Sequence, residues 1–241
     1  MDNQKKVAVI IVAGGSGKRM NSPVPKQFLM LNQKPVLAHA IQPFNESPRV
    51  HQMILVVPEK DVTYCQVDIV ETYQFHKVTN VVAGGSERID SVKKGLEAIE
   101  ETVDYIAIHD GARPLIHQED IERVFDKALE TGGAILASQM TDTVKKIEEK
   151  GEIVGTLPRS ELVLAQTPQI FCAEWLKNAY RCFPPGKVAT DDASVLECAG
   201  YSVHTVCGKH INIKITTSED LEIAAYTLNR RSGENENRHR F

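Results

Sequence analysis

Val7-Ala8-Val9-Ile10-Ile11-Val12-Ala13-Gly14-Gly15-Ser16-Gly17-Lys18-Arg19-Met20 is the stretch on which the reading of this chain turns. Its first seven residues form an unbroken apolar run, the length and character of a strand buried on both faces. Glycines placed where such a strand ends let backbone N–H groups close around phosphate oxygens with no Cβ in the way. Lys18, Arg19 and, within Pro25-Lys26-Gln27, Lys26 bring cations close to that loop. A strand, a glycine turn and clustered cations together suggest a polyphosphate site. A purely structural glycine turn competes with that reading, but it leaves the cations without a use.

Two familiar phosphate loops do not fit. A P-loop needs Ser or Thr after Gly-Lys to hold magnesium, and Gly17-Lys18 is followed by Arg19. A dinucleotide fingerprint needs a third glycine where Met20 stands, and an acidic residue about twenty positions on. The pattern G-G-x-G-x-R-M with a downstream P-K-Q instead resembles the nucleotidylyltransferases that join a sugar or polyol phosphate to a nucleotide.

Outward from this loop, strand-like and helix-like segments alternate. That is the pattern of a mainly parallel sheet with helices on both faces. Strands are expected at 7–13, 50–57, 78–82, 104–109, 132–138 and 203–206, with another near 211–215. Helices are expected at 35–46, 59–73, 87–100, 117–130, 173–183, 191–199 and 218–230. Ser86 before Glu87 reads as a helix start, as does Thr217 three residues ahead of Asp220. Residues 141–158 break the alternation: two short alternating segments flank Glu149-Lys150-Gly151, a hairpin signal. A lone two-stranded ribbon is marginal in water, so this one is expected to pack on a partner subunit or back on its own domain. The expected organisation is one domain over 1–230, with 141–158 a protruding β-ribbon arm for dimerisation and 231–241 a flexible polar tail.

At 241 residues the chain can bury enough surface to fold without disulfide or metal staples. A net charge of −4 offers no general attraction to nucleic acid or membranes, so an anionic substrate must be held by a local cationic cluster. The five cysteines are scattered without a C-x-x-C, as expected of reduced, packed thiols. The eight histidines lack metal-ligand spacing. Residues 7–13 are short for a signal peptide and no cleavage pattern follows, so a cytoplasmic protein is expected.

Further motifs sit at expected strand ends and helix starts: Gly84-Gly85-Ser86-Glu87-Arg88 with Ser91, His109-Asp110-Gly111-Ala112-Arg113-Pro114, Thr167-Pro168-Gln169-Ile170-Phe171, Thr190-Asp191-Asp192-Ala193-Ser194, and Asn212-Ile213-Lys214-Ile215-Thr216. Together with the first loop, and in this order over nearly the whole chain, they closely resemble the 2-C-methyl-D-erythritol 4-phosphate cytidylyltransferases. The resemblance implies a Rossmann-like nucleotidyltransferase fold and a homodimer. Ala13, Gly14, Gly15, Ser16, Gly17, Lys18 and Arg19 would wrap the CTP phosphates. Arg19, Lys26 and Lys214 would be catalytic, with Lys26 and Lys214 reaching the reacting phosphates from opposite sides. Gly85, Ser86 and Ser91 would hold the cytosine, and Asp110 and Gly111 would sit by the ribose and a Mg²⁺ ion bound by Asp110. Thr143 and Arg159, from the other subunit's arm, would grip the phosphate of the polyol substrate, with Arg113 and Thr167 lining the same region.

The chemistry implied is attack by a phosphate monoester oxygen on the α-phosphorus of CTP. The second phosphate pKa is about 6, so the nucleophile is already a dianion near neutral pH and no general base is required. The absence of a Ser-His-Asp set or paired carboxylates agrees with this, and His109 is read as structural. Three rivals share the nucleotide loops: a cytidylyltransferase acting on ribitol 5-phosphate, a sugar-1-phosphate nucleotidylyltransferase using UTP or GTP, and a nucleotide-binding module without activity.

Overall fold

The computed structural model describes residues 5–14 and 24–238, with side chains through residue 233. The strands are β1 (Val7–Val12), β2 (Met30–Leu31), β3 (Lys34–Pro35), β4 (Val50–Val57), β5 (Val78–Ala83), β6 (Tyr105–Asp110), β7 (Gly133–Gln139), β8 (Val144–Ile147), β9 (Ile153–Leu157), β10 (Val163–Cys172) and β11 (His204–Cys207). The helices are α1 (Val36–Glu46), α2 (Val62–Tyr64), α3 (Arg88–Glu97), α4 (Gln118–Thr131), α5 (Ala173–Cys182), α6 (Asp192–Cys198) and α7 (Ser218–Arg238).

The main sheet has seven strands in the order β11-β7-β10-β6-β1-β4-β5. All neighbours run parallel except β10, which is antiparallel to both β6 and β7. Side chains of successive strand residues point to opposite faces, so a strand that is apolar at every position must be covered twice. Val7, Val9 and Ile11 of β1 pack in one core with α1 (Leu37, Ile41, Phe44) and α4 (Ile121, Val124, Phe125). Ala8 and Ile10 pack in the other with Val92 of α3, Leu176 of α5 and Leu196 of α6. Each large apolar side chain so buried contributes about 1.5–3 kcal/mol. The expected layers are therefore present.

Four local expectations need correction. Residues 163–172 were not among the expected strands, yet they form β10, although Pro168 cannot donate to a ladder and is disfavoured at a central position. The structure avoids the conflict: pairing with β6 begins at Gln169, and pairing with β7 shifts register between Ala165 and Gln169. Residues 211–215 form no strand; Ile215 instead donates its N–H to Ala112 O at 2.8 Å. The 59–73 helix is a composite of a 3₁₀ turn, α2 and a π-helical stretch over Cys65–Glu71. The final helix continues to Arg238 through residues read as tail, since extending a formed helix costs far less than starting one.

β8 and β9 pair antiparallel as a separate ribbon, with Val144 opposite Leu157, and Gly151 turns between them at φ +84°. The expected hairpin is present. Ile147, Ile153, Val154 and Leu157 are exposed on it.

Candidate active site

The chain leaves β1 for β4 and β5 on one side, then crosses back to β6 on the other. In open α/β sheets such a switch point, at the carboxyl ends of the strands, is where ligands bind. A cleft of about 390 Å³ lies there. Val12, Ala13 and Gly14 line it from the end of β1, and Asp110 and Ala112 from the end of β6. Gly85, Ser86, Glu87, Arg88 and Ser91 line it from the loop after β5 and the start of α3, with Lys26, Gln27 and Lys214 completing the wall.

Local chemistry shapes each wall. Buried Gln27 donates from Nε2 to Ala13 O at 2.9 Å, holding Lys26's turn against the end of β1. Gly85 N donates to Ser91 Oγ at 3.1 Å, and Ser91 Oγ donates to Glu87 O. A Cβ on Gly85 would lie 2.3 Å from Asp90 Cβ, so only glycine fits there. Glu87, not Ser86, is the N-cap of α3, in a reciprocal box with Asp90. The Thr217–Asp220 box is present as expected.

Asp110 is the electrostatic centre. Its carboxylate lies 2.8 Å from Lys214 Nζ, 3.5 Å from Arg88 Nε and 3.6 Å from Arg113 Nε. Burial alone would raise its pKa, but Lys214, then Arg88 and Arg113, hold the carboxyl well below the usual range. Asp110 is therefore a carboxylate at any working pH.

Behind it, His109 is fully buried. Its Nε2 lies 3.2 Å from Arg113 O and its Nδ1 3.1 Å from Thr167 Oγ1, while Thr167 Oγ1 accepts from Asp110 N at 3.0 Å. This chain of bonds assigns the Nε2–H tautomer. Desolvation lowers the His109 pKa to about 4, so the ring is neutral and structural.

The structure gathers Ala13, Gly14, Lys26, Gly85, Ser86, Ser91, Asp110 and Lys214 around one cleft. Gly111 packs behind the wall, where a Cβ would lie 2.8 Å from Leu37 Cδ1. Gly15, Ser16, Gly17, Lys18 and Arg19 lie outside the described residues. Thr167 is buried with its hydroxyl spent on His109 and Asp110, and Arg113 is mostly buried, donating to Asn212 O. Thr143 and Arg159 are exposed on or beside the ribbon and are not among the residues lining their own chain's cleft; Arg159 donates to Thr141 O. Arg88 was not singled out for a role, because nothing in its spacing shows that Asp110 and Asp192 will flank it.

Two acids line the cleft, Asp110 and Glu87, and magnesium takes one or two carboxylates plus substrate phosphates. Among the described residues, a second potential metal-binding cluster is His117, Glu119 and His210. There the two rings stack at 3.8 Å, 21° from parallel, with His117 Nδ1 already accepting from Glu119 N and His210 Nδ1 3.0 Å from Asp120 Oδ2.

Comparison with known proteins gives one answer. The family described as IspD: 2-C-methyl-D-erythritol 4-phosphate cytidylyltransferase matches residues 7–230. A 2-C-methyl-D-erythritol 4-phosphate cytidylyltransferase of Alkaliphilus metalliredigens is 46% identical over 227 residues, 94% of each chain. One from Syntrophus aciditrophicus is 41% identical over 95% of this chain and 98% of its own. The crystal structure of a 4-diphosphocytidyl-2C-methyl-D-erythritol synthase from Anaerococcus prevotii superimposes with a TM-score of 0.81 at 28% identity, covering 94% of this chain and 100% of that one.

Proposed function

The chain belongs to the 2-C-methyl-D-erythritol 4-phosphate cytidylyltransferase family, and on that premise we propose how its residues divide the work. It is a nucleotidyltransferase that moves a cytidylyl group from CTP to 2-C-methyl-D-erythritol 4-phosphate, in the non-mevalonate route to isoprenoid precursors. A phosphate oxygen of the acceptor attacks the α-phosphorus of CTP. The bond from that phosphorus to the α–β bridging oxygen breaks, and pyrophosphate leaves with the electron pair.

The observation that carries the residue assignment is the cleft itself: Lys26 and Lys214 line it together with a glycine wall and a permanently ionised Asp110. The acceptor phosphate needs no base, so the demand is for charge neutralisation as two anions meet and a third departs. Lys26 and Lys214 take that role on the phosphates, joined by Arg19 from the glycine loop. Gly85, Ser86 and Ser91 receive the cytosine, and Asp110 with Gly111 receives the ribose. Asp110 would also hold Mg²⁺, which when bound supplies a positive charge to the phosphate oxygens. Thr143 and Arg159 reach the acceptor phosphate in a partner's cleft, through a homodimer formed by the ribbon over residues 141–158. Two observations support this: the ribbon's apolar side chains are exposed, and neither residue lines the cleft of its own chain. Among the described residues no helix is long and apolar enough to cross a membrane; a cytoplasmic site of action completes the proposal.

The test is magnesium-dependent pyrophosphate release, with CTP, UTP, ATP and GTP each offered to 2-C-methyl-D-erythritol 4-phosphate, ribitol 5-phosphate and glucose 1-phosphate. Activity confined to CTP and the methylerythritol phosphate is expected. Activity with ribitol 5-phosphate instead would move the enzyme to another substrate, and none with any pair would leave a binding protein.

A further inference from the structure

Arg88 opens α3, directly after the Gly84-Gly85-Ser86-Glu87 turn, and its guanidinium reaches two acids. Nε lies 3.5 Å from Asp110 Oδ1, and Nη2 donates to Asp192 Oδ2 at 2.7 Å. Asp192, the first residue of α6, is fully buried, and its other oxygen accepts from the Tyr180 hydroxyl on α5. A planar guanidinium can serve two acceptors on two edges at once, whereas a single ammonium on a flexible stem holds neither in a fixed plane. Burial by itself would lower the Arg88 pKa; Asp192 and Asp110 more than offset this and raise it, so the bridge is permanently charged.

The bridge has a geometric consequence. Gly85 lies three residues before Arg88 and Ser91 three after, and their N–H···Oγ bond closes one end of the cleft. Asp110 stands on a different strand. The ion pair between Arg88 and Asp110 crosses the cleft wall between them, and Asp192 anchors the guanidinium from behind. Fixing the separation of two groups that touch opposite ends of a ligand removes ordering cost from its binding.

We infer that Arg88 is a positioning residue for the nucleotide. Its bridge from Asp110 to the buried Asp192 sets the distance between the base end and the ribose–phosphate end of the cleft. This rests on the reading of the cleft as the CTP site. The acceptor, held through the partner's arm, does not depend on that distance.

The test compares Arg88→Gln, Arg88→Lys and Asp192→Asn with the unaltered chain. CTP affinity is read by calorimetry without acceptor, and KM for each substrate is read in turnover. All three variants are expected to weaken CTP binding by about 10-fold or more, the scale of a lost charged hydrogen bond, while acceptor KM stays within about twofold. Lysine keeps the charge at position 88 but not the fork, so it tests the bridge in a chain whose charge balance is intact. CTP affinity unchanged in Arg88→Lys and Asp192→Asn would overturn the inference. Equal rises in both KM values would also overturn it, since that is general loosening. Failure of the unaltered chain to bind CTP would overturn the functional reading itself, which separates the two.

Discussion

Lys214 Nζ lies 2.8 Å from Asp110 Oδ2, a pair formed by residues 104 apart in the sequence. Asp110 also faces Arg88 and Arg113, so its charge stays balanced when Lys214 turns to another anion. On the proposed reading, the ammonium exchanges this carboxylate for a phosphate of the nucleotide. Lys214→Ala and Lys26→Ala should each lower turnover by about 10²-fold or more, the scale of lost transition-state stabilisation. Near-normal kcat in either variant would refute its assignment.

Arg159 is exposed beside the ribbon. If it grips the acceptor phosphate in a partner's cleft, Arg159→Ala raises acceptor KM by about 10-fold and leaves CTP KM unchanged, as expected for one lost charge-assisted hydrogen bond. An unchanged acceptor KM removes the residue from the site.

The ribbon leaves Ile147 and Ile153 about 60% exposed, which a stable monomer has little reason to do. Light scattering should return a dimer for the intact chain and a monomer when residues 144–155 are removed or Ile153→Asp is introduced. A monomeric intact chain would take Thr143 and Arg159 out of any trans-acting role.

Gly85→Ala sets a Cβ 2.3 Å from Asp90 Cβ, next to helix backbone that cannot swing aside. Overpacking of this kind costs about 1–3 kcal/mol. Part of that strain falls on the base end of the cleft, so CTP KM should rise together with a lower unfolding midpoint. A variant indistinguishable from the parent in both would mean that α3 shifts to accommodate the methyl.

His109 gives the stability a pH signature. Its folded pKa, about 4, lies below the 6.5 of the free side chain, so the folded state favours the neutral ring. The stability tied to it is complete above pH 6.5 and is lost as the pH falls toward 4, on the order of 3 kcal/mol in all. Urea titrations at pH 7.5 and pH 5 should differ by less in His109→Gln than in the parent; an equal difference would assign the pH dependence to other groups.

Two features that depend on residues near each other in sequence were legible there: the hairpin turn at Gly151 and the Thr217–Asp220 box are both present. Other local readings missed by a residue or a turn, since Glu87 and not Ser86 caps α3 and the last helix runs on to Arg238. The strand after the ribbon was not legible, because Pro168 argues against a central strand until the ladder is seen to pass it unpaired on both sides. Residues 211–215 alternate as a strand would, yet their partner is the loop at Ala112 and not a strand edge.

The sequence by itself determined the layering and the chemistry at the strand ends. An apolar run of both parities must be buried on both faces, and a glycine loop with cations after it has few other uses. Only the tertiary structure decided which charges meet. Inserting β10 antiparallel between β6 and β7 seats Thr167 behind Asp110, and the packing of α6 brings Asp192 to Arg88, again across 104 residues. Pairings of that range are set by sheet order and helix packing, for which no local pattern of residues carries a signal.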